Sequence, residues 1–506
     1  MKIIRHLFAA FVTTFAVWNA RAGDDSIFTA TVWRGETAHV EIPDNAAGEM
    51  KRTDGKTIDG VTVTCFSSRN VSYLTEVRGS RLAQRSDMLC PSRQAIGMSG
   101  PEYFLNPKFV KIAVDPTAKP GVRDFGPVTV RVVDRVLPPP AEWKYFLDLW
   151  QHPWAVARYC EAEPFSKKHY AAMEPVWKTL AECGVKALTV TLLERPWNHQ
   201  CYDAYHSMIG RVKGEDGTWT FDYKIFDEYV AFGRKCGIGP DIACYTMCPW
   251  GYVVRWKDAK GEVKSAKALP GTPEFEDYWG DFLVDFTAHL KAKGWFADTY
   301  IAMDERSPED VRMIAEFIQK KSPGMKIALA GNRKPSDFQG IAIDNYSQIL
   351  SDVTPEFVDE IKTRRAEGKK TTFYVCCAPF HPNTFMDSPD GEAFWLGVHP
   401  AFSGYDGFLR WAANSWPSAP YDDASFGYWK PGDTFLVYPN GEYSERLLDL
   451  RRGIVAAEKV RILREQGKFA DELTKLGETI PYKQALQGKG DFRGFRSRIE
   501  ELVNRP

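Results

Sequence analysis

Two acids stand side by side where an apolar run gives way to a turn: DTYIAMDERSPED, residues 298–310, carries Asp304 and Glu305. Glycosidic cleavage needs a proton donor for the leaving oxygen and a group that stabilises an oxocarbenium-like centre, and carboxyls supply both. Side chains alternate across a strand, so both acids serve one site only where the strand has stopped. The next residues supply that stop. Ser307 suits an N-cap, Pro308 the first helical position, and Glu309 and Asp310 the positive end of a helix. The strand therefore ends between Asp304 and Ser307, and both carboxyls are free to turn the same way.

Adjacency also limits the mechanism. Carboxyls that face each other across a scissile bond stand roughly 5 to 10 Å apart, and Asp304 is too near Glu305 in the chain for that arrangement. A neighbour fits the scheme in which the substrate's own 2-acetamido group is the nucleophile. Glu305 would then hold the proton, its pKa raised by burial and a nearby charge, while Asp304 orients the acetamido N–H and stabilises the oxazolinium. Asp-Glu alone is a weak motif, since it occurs by chance and usually marks a solvated turn. Two other readings stay open: Glu305 paired with a separated acid such as Glu194, and a glycan-binding barrel without catalysis.

The elements that must position these acids come in two rhythms. From Ile27 to Val136 short β-type runs (IFTATVWR, VTVTCFSS, FVKIAV, VTVRVVDRV) are separated by Gly, Pro, Asn and Asp turns, which predicts a β-sandwich over residues 23–136. LPPP, residues 137–140, reads as a stiff linker. Over 141–468 eight strand candidates (KYFLDLW, VKALTVTLL, GPDIACYTM, TYIAMDE, KIALAG, IAIDNYS, TTFYVCC, GFLRWAANSW) alternate with amphipathic helices. The fold class is therefore α/β, a (β/α)8 TIM barrel, with no G-x-G-x-x-G after the first strand to favour an open sheet. TFLVYP is a further strand candidate, Ser444 to Gln466 a long helix, and residues 469–506 a charged helical tail.

In such a barrel the site lies at the C-terminal ends of the strands. There the sequence places DLWQHPW, LERPWNHQCYD, YTMCPWGY, MDER, DNYS, CCAPFHPNTF and RWAANSW. Any one of the 16 Trp is readily a core residue, but their return at strand end after strand end suits a sugar, whose C–H faces pack on rings while its hydroxyls take side-chain hydrogen bonds. By position, Trp197, His381, Arg410, Trp411 and Trp416 are candidates for that pocket.

Residues 1–22 place Lys2 and Arg5 before an apolar stretch and end in Ala20-Arg21-Ala22, a signal-peptide pattern too short to span a bilayer. The protein is expected to be secreted or periplasmic, without a membrane span. Cleavage removes three cations and no acid, taking the formal charge from −1 to −4, which gives no electrostatic case for nucleic acid. Ten cysteines in an exported chain invite disulfides, Cys65 with Cys90 first. No paired C-x-x-C, H-x-x-x-H or H-E-x-x-H spacing occurs, so no metal or cofactor is expected; His152, His199 and His381 are strand-end hydrogen-bonding candidates.

WQHPWAVARY, RPWNHQCYD with SMIG, GWFADTYIAMDER, TFYVCCAPFHPNTF, YDGFLRWAANSW and GDTFLVYP, taken in order, resemble glycoside hydrolase family 123 and its relatives, bacterial β-N-acetylgalactosaminidases. The resemblance runs from about residue 141 to 460. It implies an N-terminal β-sandwich, a glycan with a terminal β-linked N-acetylhexosamine as partner, and substrate-assisted retaining hydrolysis. Asp304 would sit on the acetamido group and Glu305 would be the acid/base. A tyrosine and an asparagine holding the acetamido group or sugar hydroxyls are also implied, for which Tyr346 and Asn345 are the candidates.

Overall fold

Eight parallel strands make the central sheet: β1 (Phe146–Leu149), β2 (Ala187–Thr191), β3 (Asp241–Tyr245), β4 (Thr299–Asp304), β5 (Lys326–Gly331), β6 (Asn345–Ile349), β7 (Lys370–Val375) and β8 (Gly407–Arg410), in the order β1-β8-β7-β6-β5-β4-β3-β2. The computed structural model describes residues 27–74, 82–95, 102–104, 106–350, 354–480 and 482–506, so the expected signal peptide lies outside it. Between β1 and β2 the sheet closes through a bridge of Leu147 with Val185 and the Lys186 N–H on the Leu147 carbonyl at 2.8 Å. Higher up, the Gln151 side chain replaces ladder bonds: its Oε1 accepts from the Thr189 N–H at 2.8 Å. The result is a (β/α)8 barrel.

Alternation on the strands explains the two surfaces. On β4 Ile301 and Met303 pack outward under the helices, while Tyr300, Ala302 and Asp304 face the barrel interior. The helices include α1 (Lys167–Glu182), α2 (Lys224–Cys236), α3 (Pro273–Lys293), α4 (Pro308–Lys321), α5 (Pro355–Ala366), α6 (Glu392–Val398) and α7 (Glu445–Glu465). Three of them start on the same device: Thr272-Pro273, Ser307-Pro308 and Thr354-Pro355, each hydroxyl accepting a backbone N–H three residues on. α6 and α7 cross so closely that a Cβ at Gly453 would overlap the Phe394 carbonyl.

The structure departs from the sequence reading at four places. TFLVYP forms isolated bridges (Asn414 with Phe435, Val437 with Tyr443) and no strand. IAIDNYS is strand only from Asn345 to Ile349, after a single turn of 3-10 helix, Pro335–Phe338. Insertions after β2 and β3 build an unforeseen four-stranded sheet from Gly210–Lys213, Trp219–Asp222, Val253–Asp258 and Val263–Lys267. Cys65 and Cys90 are both free thiols. The ladder sets Ser67, not Cys65, opposite Cys90, and the thiols donate to different carbonyls, Met50 and Ser67.

The N-terminal region packs a three-stranded sheet (Phe28–Arg34, Val128–Val136, Gly121–Asp124) on a second sheet built from Thr37–Glu41, Phe109–Val114, Val61–Leu74, Thr57–Ile58 and Leu82–Pro91. Their inner faces meet through Val32, Val63, Val110, Ile112, Val128 and Val130. The sandwich is tied to the barrel. Leu137 in the proline linker is buried and its N–H donates to the Arg34 carbonyl at 2.9 Å. The tail helix α8 (Phe492–Val503) buries Phe495, Ile499 and Leu502, and its Val503 carbonyl accepts from the Trp33 indole at 3.0 Å. Lys459 of α7 meets Glu36 of the sandwich at 2.7 Å in a buried ion pair.

Candidate active site

β4 ends at Asp304, and the Glu305 N–H still donates to the Ala330 carbonyl of β5 at 2.8 Å. At Glu305 the backbone turns left-handed, φ 48°, a conformation costly for a side chain with a Cβ and common where geometry serves a site. That turn breaks the alternation. Both acids consequently face the top of the barrel interior, where the Tyr374 hydroxyl of β7 donates to Glu305 Oε1 at 2.6 Å. Arg306 turns away, its Nε donating to the Asp304 carbonyl at 3.0 Å with its guanidinium 5.7 Å from the Trp250 ring.

Asp304 lies against an aromatic wall. Trp150, just after β1, stacks on Trp197 with centroids 5.0 Å apart, and both rings tilt onto Tyr245 at 4.4 and 5.1 Å. Burial first, then the charge of Glu305, pushes the Asp304 carboxyl up to about 8, against smaller downward pulls from Arg306 and the Trp197 indole. Deeper in the same column burial and Asp241 raise Asp148 to about 7. The buried indole N–H groups of Trp150 and Trp197 bear on Asp148 and Asp304, while that of Trp250 has no acceptor among the described residues. A buried donor left unpaired costs about 1–3 kcal/mol, so the Trp250 N–H beside the mouth suits a ligand with acceptor oxygens.

Of the residues expected in the sugar pocket, Trp197 is placed beside the acids. Trp411 is half-buried at the rim, its indole donating to Asp433 at 3.0 Å. The other five are placed elsewhere. β6 begins at Asn345, not several residues earlier, so Asn345 sits at the barrel floor level with Lys370, not at the mouth. Tyr346 points outward, packs on Phe338 and donates its hydroxyl to the Arg333 carbonyl. Arg410 shares the outward side of Val375 and Leu149 and is fully buried against Asp433 and Thr384. Trp416 is buried with its indole on the Val437 carbonyl at 2.7 Å. His381 is held by buried Glu392 at 2.8 Å and lies against Gly488 of the tail.

The remaining candidates resolve simply. Glu194 accepts from His206 Nδ1 at 2.8 Å and the Ser207 N–H at 3.0 Å, binding the loop after β2. His152 is buried, stacked on Tyr205 at 3.7 Å, and burial holds it far down at about 3, so it is neutral. His199 is exposed. Among the described residues no cluster of three His, Cys, Asp or Glu side chains could hold a metal ion, and no helix is long and apolar enough to cross a membrane. Tyr374 was missed, although Thr372 and Tyr374 alternate onto the interior face of TTFYVCC.

Comparison with known proteins decides the family. The model of the glycoside hydrolase 123 catalytic domain matches residues 150–463. The chain belongs to glycoside hydrolase family 123. It is a glycoside hydrolase acting on glycans, and the matched span runs from Trp150 of the aromatic wall through Asp304, Glu305 and Tyr374. A solved family 123 glycoside hydrolase from Clostridium perfringens, described in connection with glycolipid glycan hydrolysis, has the same fold with TM-score 0.78 and 23% identity over 94% of this chain and 92% of that chain. An endo-β1,6-glucanase is far less similar, TM-score 0.36 and 10% identity over 62% of this chain and 76% of that chain. No curated protein matches.

Proposed function

We propose that this family 123 enzyme is exported and removes terminal β-linked N-acetylgalactosamine from glycans by substrate-assisted retaining hydrolysis. The observation that carries the proposal is the pair Asp304 and Glu305 at the end of β4, adjacent and turned into one mouth, with Tyr374 on Glu305. Burial and Glu305 raise the Asp304 carboxyl to about 8, so Asp304 holds a proton at neutral pH, and the Tyr374 hydroxyl donates to Glu305 Oε1. An acetamido N–H donated to Asp304 favours its charged form, so substrate binding shifts the proton toward Glu305. The acetamido oxygen then attacks the anomeric carbon as Glu305 protonates the leaving oxygen. Glu305 next takes a proton from the water that opens the oxazolinium. The wall of Trp150, Trp197 and Tyr245 would exclude water.

The test is hydrolysis of a nitrophenyl β-N-acetylgalactosaminide by wild type, Asp304→Asn and Glu305→Gln. Loss in both variants is expected, together with inhibition of the wild type by a thiazoline mimic of the oxazoline. Full activity in both variants, or an active enzyme indifferent to the thiazoline, would overturn the mechanism. Glycolipid glycans are the first natural substrates to try.

A further inference from the structure

What the end of β4 does with two carboxyls, the end of β7 does with two thiols. Cys376 and Cys377 follow Val375, the last residue of the strand, and their sulfurs lie 3.9 Å apart. Neighbouring side chains of an extended strand point to opposite faces, so this contact exists because the strand has stopped. The turn that brings them together is firmly held. The Cys376 N–H donates to the Ala378 carbonyl at 3.0 Å, and Asn383 Nδ2 donates to the carbonyls of Cys376 at 3.0 Å and Pro379 at 2.6 Å. Asn383 is itself fixed by its N–H on buried Glu392 at 2.9 Å. Cys377 is exposed and Cys376 half-buried, whereas Cys65, Cys90, Cys183, Cys236, Cys244 and Cys248 are buried. The pair follows Tyr374, whose hydroxyl meets Glu305, at the C-terminal end of β7 and so at the active-site mouth; the charged groups that bear on Cys377 are Asp433, Glu305 and Arg410.

We propose that Cys376 and Cys377 form a vicinal dithiol modification site at this mouth, which closes to a disulfide by exchange with a small disulfide oxidant such as glutathione disulfide. The Cys377 thiolate attacks one sulfur of the oxidant, the oxidant's S–S bond breaks, and one glutathione leaves as thiolate and takes a proton. Cys376 then loses its proton and attacks the Cys377 sulfur, expelling the second glutathione. Two protein thiols are oxidised by two electrons and one oxidant disulfide is reduced to two thiols. The order of attack follows access and acidity: Cys377 is the exposed thiol, and its contact with the Cys376 sulfur draws it down to about 7 against burial, Asp433 and Glu305, and a thiol near ambient pH is the best attacker. Adjacent Cα atoms are about 3.8 Å apart, less than the roughly 4.4 Å at which disulfides become comfortable. The closed ring is therefore strained and easily reduced, which marks a labile bond and not a structural one.

The experiment incubates the full-length protein with glutathione disulfide, quenches in acid and maps peptides by mass. The peptide that contains both cysteines is expected to lose two hydrogens, to retain no glutathione and to regain the hydrogens in dithiothreitol. Cys376→Ser, which lacks the resolving thiol, is expected to keep one glutathione on Cys377. Wild type that keeps glutathione on Cys377, or whose two thiols stay unmodified, would overturn the proposal, and a folded Cys376→Ser that gains no adduct would overturn the assigned attacker. Should Cys376→Ser fail to fold, the wild-type mass alone decides. The readout does not depend on any hydrolytic activity.

Discussion

At the floor of the barrel Asp241 lies 2.7 Å from Lys370 Nζ, and the Tyr300 hydroxyl lies 3.2 Å from the same ammonium. At the mouth Asp304 has a second acid, Glu305, as its chain neighbour, and a tyrosine, Tyr374, completes the group. Both regions put carboxyl and phenol inside one barrel, but only the floor holds a cation between them. Against the downward pull of burial, Asp241 and Tyr300 hold the Lys370 ammonium up, and the charges there neutralise each other. Burial and Glu305 outweigh the pull of Arg306, so Asp304 keeps a proton up to about pH 8. The floor spends its charges on stability, and the mouth keeps a proton that the proposed mechanism has substrate move.

The largest effect is expected at the mouth. In the proposed mechanism Glu305→Gln removes the proton donor and should lower kcat by about 10²–10⁴-fold, the usual contribution of general acid catalysis, with thermal stability retained; steady-state kinetics and a melting curve separate the two. Lys370→Met should do the converse. It strands Asp241 and is expected to cost roughly 2–3 kcal/mol, below the range for a wholly buried pair because Lys370 reaches solvent, as read by urea denaturation. A large loss of kcat per folded molecule in Lys370→Met would break the division between floor and mouth.

Tyr374→Phe sharpens the comparison. It removes one hydrogen bond to a charged group, worth about 1.5–3 kcal/mol, so kcat should fall about tenfold to a hundredfold while KM changes little. Loss of fold, or a change in KM alone, would make Tyr374 a packing residue. A separate effect is on stability against pH. An Asp whose folded pKa is raised binds its proton more tightly when folded than when unfolded, so its contribution is complete below the unfolded value of about 3.9 and declines as pH rises to about 8. Wild type should therefore lose stability across that window more steeply than Asp304→Asn, measured by urea midpoints at several pH values.

How far the sequence carried follows from what each signal depends on. Ser307-Pro308 marks a helix start through purely local chemistry, and α4 begins at Pro308 with Ser307 as its cap. Strand starts have no such local mark. IAIDNYS reads as one strand, yet only Asn345 onward pairs, because Asp344 takes the Ile327 N–H with its side chain at 2.9 Å. That shift moved Asn345 to the floor and turned Tyr346 outward. Arg410 and Trp416 are strand-end residues whose direction is set by partners distant in sequence, Asp433 and Val437. The aromatic wall was legible as a recurrence of Trp and Tyr at strand ends; which ring meets which acid was fixed by the closing of the barrel between β1 and β2.

The central claim is that the nucleophile belongs to the substrate and that Asp304 and Glu305 serve it from one side. It is tested most directly by comparing kcat/KM for two β-galactosides with the same leaving group, one bearing a 2-acetamido group and one a 2-hydroxyl. The account predicts turnover of the acetamido sugar, abolished by the thiazoline, and negligible turnover of the other. Equal turnover of both sugars would contradict it.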